Sequence, residues 1–232
     1  MKKMILGLGM ASALLSSSAI AQDLTISITN QTHGTYFTPL LISAHAGGNH
    51  LFQIGETATA NLQAMAEGGD ISGLAADMAA IDANSVENPA AGLLAPGATT
   101  TFDLATDEGN DYLSLTAMLL PTNDGFVGIN ALHLPTTPGT YTYRLNAYDA
   151  GTEANNEVVN GAGAPGALGI PADPGGSNGS GASGVTTTEA NPVVHIHRGV
   201  LGDTDATGGT SDLDSRIHRW LNPVANLVIT VN

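Results

Sequence analysis

The sequence contains no cysteine, and its only lysines, Lys2 and Lys3, stand at the start. Without disulfides, a fold built from this chain must hold through its core, with a bound metal as a further source of stability. At 232 residues the chain is long enough for that, because a domain of this size buries most of the surface its unfolded chain exposes. Setting aside the two lysines leaves Arg144, Arg198, Arg216 and Arg219 as the fixed cations and takes the net charge from −15 to −17. Phosphate backbones and anionic lipid repel such a chain, which argues against nucleic-acid and membrane-surface roles. Charged residues are only 12% of the sequence and hydrophobic ones 42%. The acidity therefore reflects missing bases on a folded domain and not an acidic disordered tail.

Long apolar runs are absent beyond the opening, so no membrane helix and no membrane insertion is expected. The opening itself, MKKMILGLGMASALLSSSAIAQ, has two lysines, a short apolar stretch and small residues at Ala19 and Ala21. That is the pattern of a secretory leader over residues 1–21, cleaved after Ala21, and it predicts a secreted or periplasmic protein. Catalytic signatures are missing too. There is no HExxH, no P-loop and no cysteine nucleophile.

What is present reads mostly as strands. LTISIT (24–29) and LVITV (227–231) alternate apolar and polar, and strand patterns recur at YLSLTAMLL (112–120), FVGINAL (126–132), YTYRLNAY (141–148) and VVHIHR (193–198). Strands at both ends favour one closed domain over residues 22–232. ETATANLQAMAEGG reads as a helix, capped by Thr57 or Thr59 and stopped by Gly68 and Gly69, and LAADMAA as a second short one. Residues 160–192 are rich in Gly, Pro and Ser and read as a long surface loop within the same domain. The expected fold is all-β, an antiparallel β-sandwich with one or two short helices inserted.

If 112–120, 126–132 and 141–148 form an antiparallel meander, the turns TND (122–124) and DAGTE (149–153) fall at one end of the sheet. Asp124, Asp149 and Glu153 then gather there. Carboxylates around a glycine turn, with no His or Cys close in sequence, form the donor set that a hard cation such as Ca²⁺ selects. The alternative is that these acids are turn residues bonded to their own backbone.

A resemblance bears on that choice. FTPLLISAHAGGNHLFQIGETATANLQAMAEGGD, MLLPTNDGFVGINALHL and YRLNAYDAGTE resemble, in order, three segments of the spondin amino-terminal domain family, and HIHRG to HRWLNPVA is similar to its bacterial branch. The resemblance implies a β-sandwich with one Ca²⁺ at its loop end, held through Asp124, Asp149 and Glu153. The chain departs from the family pattern at Glu153, where Asp is usual, and at Gly125 and Tyr148, where Trp is usual. Adhesion and matrix proteins among the relatives suggest a surface protein or glycan as partner.

A second constellation is His195 and His197, two apart and so on one face of a strand, with His218 or His45 as possible additions. Such imidazoles suit Cu²⁺ or Zn²⁺. Otherwise they pack beside Trp220 and bond to Asp203, Asp212 or Asp214, with Arg198 and Arg216 as partners for those aspartates. The expected function is an exported Ca²⁺-binding module for surface recognition and not an enzyme. The alternatives are a hydrolase using a metal-bound water, or a periplasmic Cu/Zn-binding protein using His195 and His197.

Overall fold

A computed structural model describes residues 21–232. The leader expectation, apart from Ala21, lies outside the described residues. Ten strands and two helices follow in the order β1 (Asp23–Asn30), β2 (Tyr36–Phe37), β3 (Leu41–His45), α1 (Ala60–Gly68), α2 (Ser72–Ala79), β4 (Asn84–Glu87), β5 (Thr99–Ala105), β6 (Tyr112–Leu120), β7 (Gly125–His133), β8 (Gly139–Asp149), β9 (His195–Ile196) and β10 (Ala225–Val231). The ladder runs β4-β3-β6-β7-β8-β10-β1-β5, with β2 on β6 and β9 on β8.

β8 joins two halves of this ladder. Its first part, Gly139–Leu145, pairs with β10, and its last part, Asn146–Asp149, pairs with β7. The halves fold face to face, so Leu24, Ile26 and Ile28 of β1 and Leu227 and Ile229 of β10 share a core with Ile42, Leu113, Leu115 and Val127. This is the expected all-β sandwich. Asn84 and Asp107, beside the end strands β4 and β5, exchange hydrogen bonds, so the sheet nearly closes on itself.

Burial explains the sequence patterns. β1 and β10 alternate because one face is core and the other is wet, where Ser27 and Thr29 pair their hydroxyls with Thr101 and Thr99. β6 is apolar almost throughout because both its faces are covered. Leu113, Leu115, Ala117 and Leu119 enter the inter-sheet core, while Met118 and Leu120 enter a second core roofed by the helices and the C-terminal segments.

Helix α1 begins later than the apolar pattern suggests, because Thr59 is its cap and its side chain accepts from the Leu62 amide at 3.1 Å. The end is as expected, with Gly69 left-handed at φ +73°. The strand expected over 193–198 shrinks to His195–Ile196. After it, His197 accepts a hydrogen bond from the Gly199 amide at 2.9 Å and Gly199 turns to φ +85°, which takes the chain off the ladder. The Gly-rich segment joins β8 to β9 but is not merely a surface loop. Ile170 is fully buried in the second core, and the segment is tied to α1 by the Gly166 amide, which donates to Glu67 Oε2 at 2.6 Å.

Candidate metal centre

The expected meander exists, β6 to β7 to β8, and it brings the two acidic turns together. Asp124 immediately precedes β7 and Asp149 ends β8. Gly125 and Asp149 are cross-strand partners, and the Ala150 amide donates to the Asp124 carbonyl at 3.2 Å. Gly151 is demanded twice over. Its φ is +67°, and a Cβ there would lie 2.6 Å from both the Asn191 carbonyl oxygen and the Val193 nitrogen. The turn can therefore tuck under the segment that leads into β9.

All three predicted acids are buried, Asp124 fully and Asp149 and Glu153 at 2% and 6% exposure. Asp124 Oδ2 accepts from the Thr152 amide at 2.8 Å, the Thr152 hydroxyl at 3.2 Å and the Glu153 amide at 3.3 Å. Asp149 accepts from the Gly151 amide through Oδ1 and from Asn155 Nδ2 through Oδ2. Glu153 Oε2 accepts from the Gly169 amide at 2.9 Å and from Asn123 Nδ2 at 3.4 Å. Asp124 Oδ1 and Glu153 Oε1 are buried and accept nothing.

Among the described residues no Lys or Arg forms an ion pair with these acids, and His195 Nε2 lies 3.8 Å from Asp149 Oδ2. The electrostatics follow. Burial, and then repulsion from Asp149, pushes Asp124 up to about 8 against the pull of the Thr152 and Glu153 amides. Burial pushes Glu153 up to about 7, opposed by the Gly169 amide. Of the three acids only Asp149 bonds within its own turn, while Asp124 accepts from the amides of the neighbouring turn and Glu153 from Gly169 and Asn123. Among the described residues, no three His, Asp or Glu side chains already stand as a metal-binding group.

His195 and His197 share a face, with Ile196 between them exposed. Their nitrogens differ. His195 Nδ1 donates to the Val193 carbonyl at 2.8 Å, which in the neutral ring leaves a lone pair on Nε2 beside Asp149. His197 Nδ1 accepts from Gly199, so its proton sits on Nε2, which has no partner. Burial pushes His197 down to about 4, against the attraction of Asp149. His197 packs on Trp220 at a ring separation of 5.2 Å. His218 lies elsewhere, beside Asp173, and His45 bonds to Ser114 on β6. Arg216 pairs with Asp214 as expected.

Sequence reasoning missed what His197 does. A Cβ on Gly125 would lie 3.0 Å from the His197 ring and 2.7 Å from Thr122 Oγ1. The imidazole thus fills the space that Gly125 leaves open. A contact 72 residues apart leaves no local signal. Asp149 also borders a cavity of about 180 Å³ with Asn155, Glu189, His195 and Arg198.

The profile of the Spondin_N family matches residues 29–159, a span that contains all three acids and ends before His195 and His197. No curated protein is similar enough in sequence to count as a relative.

Proposed function

We propose that this chain, which belongs to the Spondin_N family, is an extracellular-type recognition module whose loop end is held by Ca²⁺. The observation that carries the reading is the pair of buried carboxylate oxygens, Asp124 Oδ1 and Glu153 Oε1, left without donors in a cluster that has no Lys or Arg partner among the described residues. A buried, unpaired carboxylate is costly, and a cation relieves it. Asp124 and Glu153 would supply those oxygens and Asp149 a third carboxylate. Oxygen donors on a flexible turn suit Ca²⁺ better than Mg²⁺ or Zn²⁺.

The burial of these acids changes the expected role. A cation here is enclosed by the segments around Gly151 and Gly169, so it fixes the loops and does not offer an open coordination site to a partner. Recognition of a surface protein or glycan then belongs to the loop surface that the cation holds in shape. Binding of this kind needs no catalytic group.

The test is a thermal melt of metal-free protein with and without Ca²⁺, beside Asp149→Ala. A cation at a hundred times its dissociation constant stabilises by about 2.7 kcal/mol, which raises Tm by roughly 5–10 °C for a domain of this size. The rise is expected to be smaller in the variant than in the parent by about that amount. An unchanged Tm in the parent would remove Ca²⁺ from this site.

A further inference from the structure

The C-terminal segment carries an acidic loop that the site above does not use. Residues 203–214, DTDATGGTSDLD, place acids at the first, third and twelfth positions, hydroxyls at the fifth and ninth, and glycine at the sixth. This is the ligand spacing of a twelve-residue calcium loop, with Thr207 in place of the fifth-position Asp or Asn and Asp214 in place of Glu. The ends of the loop meet. Asp203 and Asp214 form a bridge, with the Asp203 amide donating to Leu213 and the Ser215 amide donating to Asp203. The Asp203 carboxylate curls the loop by accepting from the amides of Asp205, Thr210 and Ser211.

A cavity of about 160 Å³ adjoins this loop, lined by Asp203, Asp205, Asp212 and Asp214 and, from across it, by Asp173 and His218. Acids and spacing alone do not make a site. The independent observation is Asp173, which comes from the Gly-rich segment. Its side chain is 3% exposed, and its Oδ1 accepts no hydrogen bond. His218 Nε2 is 3.5 Å away but lacks the alignment of a hydrogen bond. His218 Nδ1 accepts from the Asp214 amide, so Nε2 carries the proton and offers no lone pair to a metal. The available donors are oxygens, which favours a hard cation.

Asp214 is meanwhile gripped by Arg216, whose Nε donates to Oδ1 at 2.9 Å while Nη2 pairs with Oδ2. The guanidinium is 70% exposed on its side chain and free to leave. It supplies at the twelfth position the positive charge that a cation would supply.

We propose that Asp203, Asp205 and Asp214, closed by Asp173, form a second Ca²⁺ site, and that Arg216 competes with the cation for Asp214. The site couples the Gly-rich segment to the C-terminal loop, and it stands independently of the Asp124 cluster.

The test counts Ca²⁺ bound by the metal-free protein, by titration calorimetry and by equilibrium dialysis. The parent should bind two equivalents, Asp149→Ala one and Asp205→Ala one. Asp205 is exposed, and its carboxylate bonds only within its own turn, to Thr207, so that variant should fold. Arg216→Ala should tighten one of the two sites several-fold. A single equivalent that Asp149→Ala abolishes and Asp205→Ala leaves intact overturns the second site and upholds the first. A single equivalent with the opposite pattern upholds the second and overturns the first. Two equivalents whose affinities ignore Arg216→Ala overturn the competition.

Discussion

Asp124 and Glu153 hold their protons in the folded chain at pH values where an unfolded chain has lost them, because burial lifts them to about 8 and about 7. The sign is opposite to that of an ordinary salt-bridged acid. Between the unfolded carboxyl range and those raised values the folded state binds more protons, so metal-free stability is highest at low pH and is lost as pH rises through about 7 and 8. The Tm of metal-free protein should therefore fall from about pH 6 to about pH 8.5, and the gain from Ca²⁺ should grow over the same interval as the cation displaces protons. A gain that ignores pH would exclude these two carboxylates as ligands. These residues were legible in the sequence because motif and topology agreed on them. Their unpartnered oxygens were not, since no sequence pattern records which oxygen a donor misses. The spacing from Asp203 to Asp214 was also in plain view, but the aspartates there were read only as partners for histidines and arginines.

Elements were legible in proportion to how much one-sided burial they have. β1 and β10 face a core on one side only and display it as clean alternation, and the meander β6-β7-β8 is apolar and bounded by turn residues. The end strands β4 and β5 were not foreseen. β5, TTTFDLA, has two buried side chains among seven and spends Thr99 and Thr101 on hydroxyl pairs with β1, so it looks like a polar loop. Helix α1 was legible through its caps. Replacing Thr59 with Ala removes the bond to the Leu62 amide and should cost about 1 kcal/mol, a fall of about 2–4 °C in Tm; no change would show that the buried face alone sets the helix start. At the other end of α1, Glu67 is fully buried, bonded to Gln63 and to the Gly166 amide. Glu67→Ala leaves that amide without its acceptor, at a cost of about 1–3 kcal/mol. Limited proteolysis should then cut within residues 160–170 sooner than in the parent, and an unchanged digestion pattern would mean that Ile170 anchors the segment unaided.

The whole molecule is a sandwich with its acids distributed in a telling way. A strongly acidic chain is expected to keep carboxylates in water, yet Glu67, Asp124, Asp149, Glu153, Glu157 and Asp173 are all buried, most of them around the Gly-rich segment. Backbone amides replace the missing lysines. Glu157, for example, accepts from the amides of Leu201 and Gly202 and from the Ser211 hydroxyl. A segment dense in glycine brings its amides close to carboxylates without side chains in the way. Low complexity in the sequence thus conceals a docked, hydrogen-bonded layer, which is why it looked like a simple surface loop.

The placement of β1 and β10 at the middle of their half of the sheet has a consequence in time. β1 takes β10 on one side and β5 on the other, and β10 is also the neighbour of β8. Two of the seams in that half therefore wait for residues 225–231, and pairings so distant in sequence form slowly. The sheet stays open until β10 is in place, and a chain shortened before Ala225 should show no cooperative melt by circular dichroism. A native-like melt from the shortened chain would refute this.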